Sequence, residues 1–167
     1  MNGYIARQLR EIRYRIDCLS LRVRAYRGQL SRGDHLFLLA QLSVGRDVSP
    51  LDFAGDELGC AESVTNLLSQ VLPFRILTGT ASLDEMLRRD PRFLFSRSYL
   101  GEGGIVLSPT GSGNGKIRGH VGIFGVGEEI MSADSNTGLW TRNFTLQTWR
   151  ARYEKLGELP VNFYRFK

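Results

Sequence analysis

The chain has 167 residues, of which 42% are hydrophobic and 23% charged, with a formal net charge of +5 at pH 7. This length and balance predict one soluble globular domain with a buried core. No run of about 18 apolar residues is present, which excludes a transmembrane helix. The first residues lack the apolar stretch of a secretory signal. We therefore expect cytoplasmic synthesis, and a substrate outside the membrane would require something else to deliver the protein.

The first predicted element is a long amphipathic helix. Seven apolar residues recur at alternating spacings of four and three, which lines them up on one side of a helix of about six turns. We call them the apolar seam: Ile5, Leu9, Ile12, Ile16, Leu19, Val23 and Tyr26. We expect this seam to pack on the rest of the protein or to pair with another helix in an oligomer or larger assembly, rather than to lie on a membrane.

The positive charge is concentrated in the same segment. Residues 1–32 contain eight arginines but only Glu11 and Asp17 as acids. One interpretation is an anionic partner, such as nucleic acid, anionic lipid, a membrane surface or an anionic wall polymer. The other is a solvated helix face with no partner.

Helical patterns continue through the first half of the chain. A short helix is predicted over residues 35–43, with His35 in a capping or surface role, and residues 45–56 are predicted as loop. Residues 60–72 predict a helix that Pro73 ends. A capping box that begins at Ser82 predicts another helix through Arg89.

Strands dominate the second half. Residues 104–107, 120–124, 129–133 and 161–166 predict strands, and Thr145 is expected to cap a helix that contains Trp149 and Tyr153. Helices followed by sequential strands predict an α+β fold with an antiparallel sheet. We place a boundary near residue 46, between an N-terminal helical segment, 1–45, and a catalytic domain, 46–167.

Cys60 and His120 are the candidate catalytic pair. Cys60 follows Gly59 at the start of a predicted helix, where unpaired backbone amides favour a thiolate and can stabilise an oxyanion. The alternative for Cys60 is a small buried hydrophobic residue. His120 begins an apolar strand downstream. A cysteine followed by a histidine is the order of a papain-type nucleophile and base, and no metal or cofactor is required.

A third polar group is expected to orient the histidine. Asp134 and Asn136 follow the next predicted strand and are two residues apart, so an extended chain would direct both side chains to one face. One of them could accept the imidazole proton and fix the tautomer.

These segments resemble the CHAP and NlpC-like amidases and peptidases. Residues 104–107, a glycine-rich loop and residues 119–124 are similar to the strand and histidine blocks of those families. Residues 56–64 are similar to the segment that holds their cysteine, and residues 161–165 to their closing strand. The resemblance implies a papain-like fold over residues 46–167, and cleavage of amide bonds in the peptide stems of peptidoglycan, as in a phage endolysin.

Carried over by position, the resemblance makes Cys60 the nucleophile and His120 the base, with Asp134 and Asn136 orienting it. The chain departs from the CHAP pattern at Gly59, where those domains usually have the glutamine that helps to form the oxyanion hole.

Further residues are expected near the substrate. Glu57 and Arg118 flank the predicted site and could bind charged peptide stems, and Trp140 could form an aromatic wall; the alternatives are solvated surface and core packing. The loop over residues 110–117 lacks the first glycine and the Ser or Thr of a phosphate-binding loop. We therefore expect a flexible loop at the border of the cleft.

Two other functions remain open at the level of sequence. An acyltransferase or transglutaminase-like enzyme would use the same order of cysteine, histidine and aspartate. A non-catalytic protein would use residues 1–32 for assembly or nucleic-acid binding, with the remainder as a papain-like scaffold.

Overall fold

The protein is described from a computed structural model, which covers residues 2–50 and 59–167. Four helices come first: α1 (Asn2–Tyr26), α2 (Arg32–Leu42), α3 (Gly59–Val71) and α4 (Thr80–Arg89). Five strands follow: β1 (Phe93–Ser96), β2 (Ile105–Ser108), β3 (His120–Phe124), β4 (Glu129–Ala133) and β5 (Trp140–Thr145). Helix α5 (Leu146–Trp149) continues as a π-helix over Arg150–Leu156, and β6 (Asn162–Phe166) closes the chain.

The six strands form one antiparallel sheet in the order β1-β6-β2-β3-β4-β5. The last strand thus lies between β1 and β2, and β3 occupies an inner position. The α+β class and the antiparallel sheet predicted from the sequence are confirmed.

Two hydrophobic cores cover the two faces of the sheet. Helices α2, α3 and α4 pack on one face, where they bury residues such as Leu39, Leu68 and Val121 in a first core. Helix α5 and the π-helix pack on the other face around Trp149 and Phe163, in a second core. Because side chains alternate along a strand, consecutive residues of β3 point into different cores.

Helix α2 belongs to the first core although it precedes residue 46. Leu36 and Leu39 are almost fully buried, and the indole Nε1 of Trp140 donates to the backbone oxygen of Ala40 at 3.1 Å. The division of the chain at residue 46 stays a prediction, but the contacts of α2 tie residues 32–42 to the sheet.

The apolar seam of α1 does not pack on the rest of the protein. Its seven side chains are 41–94% exposed, while α1 contacts the body through the opposite side, where Cys18 and Leu21 are buried. The expectation that the seam packs on the protein is therefore wrong. Pairing of the seam with another helix stays a prediction. None of the helices in the described ranges is long and apolar enough to cross a membrane.

The sequence predicted the start of one helix correctly and misplaced the starts of two others. Thr145 caps α5 through a capping box with Thr148, as expected. Helix α4 begins two residues before Ser82, with Gly79 as its cap and no side-chain hydrogen bond. Ser31, not His35, caps α2. His35 is buried, so its predicted capping or surface role is wrong.

Candidate active site

Cys60 is the second residue of α3, and its thiol lies against the start of β3. Backbone N–H groups of Val121, Ala61 and Cys60 itself interact with the sulfur and lower its pKa, but burial outweighs them and raises the pKa to about 11. Cys60 is thus a thiol, not a thiolate, at neutral pH. Gly59 begins the same helix, and a Cβ atom placed there would meet no described atom within 4 Å.

The ladder between β3 and β4 ends near the Cys60 sulfur. The two strands are paired at Ile123↔Met131 and Phe124↔Ile130, and the preceding residues of β3 carry no such pairing. The strands stay close there, because a Cβ atom on Gly122 would lie 2.8 Å from the Met131 oxygen. The N–H of Val121, the residue before Gly122, interacts with the Cys60 sulfur.

His120 lies at the same end of β3 and packs in an aromatic cage. Its ring stacks on Trp149 (centroids 5.4 Å apart) and Tyr153 (5.7 Å), and meets the Phe144 ring edge-on at 5.8 Å. Trp149 and Tyr153 are four residues apart on the last helical segment, so both side chains lie on the same side of it and reach one imidazole. Burial in this cage, and secondly the positive charge of Arg152, lower the pKa of His120 to about 4.

A chain of hydrogen bonds fixes the imidazole. His120 Nε2 lies 2.9 Å from Ser132 Oγ, and Ser132 Oγ donates to Asn143 Oδ1 at 2.7 Å. Since the only proton of the serine hydroxyl goes to the amide oxygen, Ser132 must accept a proton from the histidine. His120 is therefore protonated on Nε2, and its Nδ1 carries the lone pair of a base.

The cysteine and the histidine reach this end of β3 from opposite faces of the sheet. Helix α3 packs in the first core, and the His120 ring packs against aromatic residues of the second. In the described part of the chain no hydrogen bond joins the Cys60 sulfur to the His120 ring. Tyr153 lies near both residues, because its ring stacks on His120 and its pKa, raised to about 12 chiefly by burial, also responds to the charge that an ionised Cys60 would carry.

Asp134 and Asn136 occupy a turn and not an extended strand. Strand β4 ends at Ala133, and Asp134 Oδ1 accepts hydrogen bonds from the backbone N–H groups of Asn136 (2.8 Å) and Thr137 (3.0 Å). These bonds lower the pKa of Asp134. The negative charge of Asp134 acts on His120 from a distance, while Asn136 is exposed. The expectation that both side chains share an extended face is wrong.

The residue that holds His120 is Ser132, which the sequence prediction did not include. A signal for it existed, because Ser132 precedes Asp134 by two residues and so has the same facing on the predicted strand. Asn143 had no such signal. It is the extra residue in a β-bulge, since Ile130 pairs with Phe144 and Met131 pairs with Arg142.

The predicted substrate residues are dispersed. Trp140 is fully buried, so its predicted role as an aromatic wall is wrong. Arg118 lies on the surface two residues before β3, and Glu57 lies outside the described residues. Glu62 is buried one helical turn along from the start of α3, and burial raises its pKa.

The glycine-rich loop before β3 packs on the end of the π-helix. Asn114 Nδ2 donates to the backbone oxygen of Leu156 at 3.1 Å, and a Cβ atom on Gly113 would lie only 2.1 Å from the Gly157 oxygen. Gly119 is equally confined, because a Cβ atom on it would lie 2.3 Å from the backbone oxygen of Ser108. The loop is therefore anchored at both ends, and it leads directly into His120.

Two cavities lie away from this pair. One of about 600 Å³ is lined by residues including Arg97, Arg150 and Glu154. Another of about 500 Å³ lies between α1 and α3, beside Cys18. Neither is lined by Cys60 or His120.

No protein-family model and no curated protein matches this chain. The chemistry of the site therefore has to be judged from its own geometry. That geometry consists of a partly buried thiol at a helix N-terminus, a tautomer-fixed neutral imidazole on the adjacent strand, and backbone N–H groups close enough to the sulfur to lower its pKa.

Proposed function

We propose that this chain is a cysteine hydrolase with a papain-like arrangement, which cleaves amide bonds in the peptide stems of peptidoglycan. The observation that carries the assignment is the chain from His120 to Ser132 and Asn143. These hydrogen bonds leave a lone pair on Nδ1 of His120. His120 begins β3, the same strand whose Val121 N–H interacts with the Cys60 sulfur. Because a buried imidazole N–H needs an acceptor in any protein, the support for catalysis comes from the lone pair that this arrangement leaves on Nδ1.

The pKa values specify how the pair would work. A thiol with a pKa of about 11 and an imidazole with a pKa of about 4 form a neutral pair, not the thiolate–imidazolium pair of papain. Full proton transfer before attack would cost roughly 10 kcal/mol. His120 Nδ1 is therefore expected to remove the thiol proton while the sulfur–carbon bond forms, as in general-base catalysis.

The remaining steps use groups at the start of α3. The oxyanion formed on the amide carbonyl would accept hydrogen bonds from backbone N–H groups near Cys60, at the start of α3. The proton on His120 then passes to the leaving amine, and water hydrolyses the thioester. The resemblance of residues 104–107 and 119–124 to CHAP and NlpC-like blocks supports wall peptides as the substrate class.

A direct test is the digestion of purified peptidoglycan. Wild type, Cys60→Ala and Cys18→Ala are incubated with wall fragments, and released muropeptides and new amino termini are measured by mass spectrometry. Cys18 is the matched control because it is the other cysteine and lies on α1 in the first core. We expect release by wild type and Cys18→Ala and none by Cys60→Ala.

Other outcomes have definite meanings. Absence of release by wild type contradicts wall hydrolysis, and equal release by Cys60→Ala contradicts its role as nucleophile. Incorporation of a labelled amine into a peptide, in place of hydrolysis, would show an acyltransferase or transglutaminase-like enzyme instead.

A non-catalytic role is the second candidate. It is favoured by the neutral pKa state of the pair and by the approach of Cys60 and His120 from opposite faces of the sheet. In that case the hydrogen bonds around His120 serve stability alone, and neither hydrolysis nor amine incorporation will depend on Cys60.

A further inference from the structure

Helix α1 presents a continuous apolar surface to solvent. The seam side chains include Leu9 and Leu19, each 61% exposed, and Ile16, 57% exposed. The helix is held from its other side, where the Tyr14 hydroxyl hydrogen-bonds with Ser43 at 3.1 Å and Arg46 donates to Glu11 at 2.8 Å. An exposed apolar row of this length on a fixed helix is typical of an interaction site.

The spacing of the seam favours a helix as its partner. Steps of four and three repeat from residue 5 to residue 26, which gives a period of 3.5 residues, the period of a coiled-coil seam. The six positions that flank the seam between residues 5 and 23 are all small or polar: Ala6, Gln8, Arg13, Arg15, Ser20 and Arg22. Helices that lie on membranes present a broader apolar face than this two-residue stripe.

The charge of the flanks indicates which kind of helix fits. Three of the six flanking residues are arginines and none is acidic. The two acids of α1 lie off the flanks: Glu11 pairs with Arg15 and Arg46, and Asp17 pairs with Arg13. Arg13 and Arg15 are more than three-quarters exposed, so their pairs within α1 are weak and open to exchange.

We propose that the seam of α1 docks an amphipathic helix of another protein, whose apolar seam has the same period and is flanked by Glu or Asp. A second copy of this chain would offer only arginines to the arginines of the first, with no attractive pair at any flank. An acidic partner gains ion pairs at three positions and covers the exposed seam.

The test uses two designed helical peptides of the length of α1. Both carry Ile and Leu at the seam positions, and they differ only at the flanks, which are Glu in one and Lys in the other. Binding to the full chain is measured by fluorescence anisotropy, beside a triple variant, Arg13→Glu/Arg15→Glu/Arg22→Glu. Sedimentation of the chain alone, and co-sedimentation with phosphatidylglycerol vesicles, are measured in parallel.

We expect the Glu-flanked peptide to bind wild type about tenfold or more tightly than the Lys-flanked peptide, with a preference that shrinks as salt is raised. The triple variant should reverse the preference, and Ile12→Asp should abolish binding of both peptides. Equal binding of the two peptides, or binding of neither, overturns the proposal. So does a concentration-dependent dimer of the wild-type chain that Ile12→Asp abolishes, or stronger binding to vesicles than to peptide.

Discussion

Burial shifts the pKa values of Cys60 and His120 in opposite directions, upward for the thiol and downward for the imidazole. In a thiolate–imidazolium pair each group favours the charged form of the other, but here burial acts on both before they interact. The aromatic cage of Trp149 and Tyr153 keeps the imidazole neutral, and the packing of α3 on the sheet keeps the thiol protonated. The consequence is a neutral imidazole and a protonated thiol, so in the proposed mechanism the thiol would lose its proton during attack.

The reactivity of Cys60 follows directly from its raised pKa. We expect its alkylation by iodoacetamide to accelerate about tenfold per pH unit from about pH 7 to pH 10, because only the thiolate reacts and its fraction rises throughout this range. The rate is measured by mass spectrometry in Cys18→Ala, which contains no other thiol. His120→Ala should give the same profile. A rate that is already constant above about pH 6 would instead show a preformed ion pair.

At the scale of elements, two irregularities of the sheet create the site. The ladder between β3 and β4 begins only at Ile123, and the Val121 N–H in the preceding part of β3 interacts with Cys60. The bulge in β5 inserts Asn143 between Arg142 and Phe144, and its side chain reaches Ser132 across the ladder. A regular ladder would pair both strands fully and leave neither group available.

The tautomer of His120 should therefore depend on Ser132 and not on Asp134. In wild type we expect nitrogen NMR shifts of the His120 ring that show a proton on Nε2. Ser132→Ala should mix the two tautomers and lower kcat on a peptide substrate by about tenfold to a hundredfold, with little change in KM. Asp134→Ala is the matched control, and it should keep the tautomer because its carboxylate bonds the turn. An altered tautomer in Asp134→Ala alone would restore the predicted triad.

At the scale of the whole molecule, the two cores and α1 have separate tasks. The first core joins α2, α3 and α4 to one face of the sheet and positions Cys60, and the second positions His120. A buried network between α4 and β6 ties the sheet to the helices, with Asp84 Oδ1 accepting from Asn162 Nδ2 and the Tyr164 hydroxyl, each at 2.6 Å. Helix α1 contacts the first core on one side only, and its other side, which carries the apolar seam, faces solvent.

Global stability should fall as the pH drops from about 6.5 to 4. In this window an unfolded histidine binds a proton, whereas folded His120, with its pKa lowered to about 4, does not. Folding stability is thus highest above pH 6.5 and declines by roughly 3 kcal/mol on account of His120. The lowered pKa of His35, caused by burial and then by Arg22, acts in the same direction.

Urea unfolding at a series of pH values measures this effect. His120→Gln removes the titrating ring and should flatten much of the decline, and His35→Gln should remove a separate part. A free energy of unfolding that is constant between pH 6.5 and pH 4 in wild type would show that neither ring is shielded from protons.

Elements whose signal is local could be predicted from the amino-acid sequence alone. Periodicity located α1, α3, β3 and β4 to within a residue or two, and the cap at Thr145 was readable because a capping box needs only four consecutive residues. The two edge strands, β1 and β5, were not predicted. In β1 three apolar residues follow one another without alternation, and β5 contains mostly polar residues. The start of α4 was also misplaced, since it has no side-chain cap to read.

The roles of these elements depend on how distant segments pack. Only the packed structure showed that the seam of α1 is exposed. The sequence of α1 has apolar residues on two sides, and it does not indicate which side is covered. Packing buried Trp140 and His35, and it recruited Ser132 and Asn143 to His120 through a bulge. Periodicity specifies which residues share a face, but contacts between faces, and the pKa values that burial sets, arise only in the folded chain.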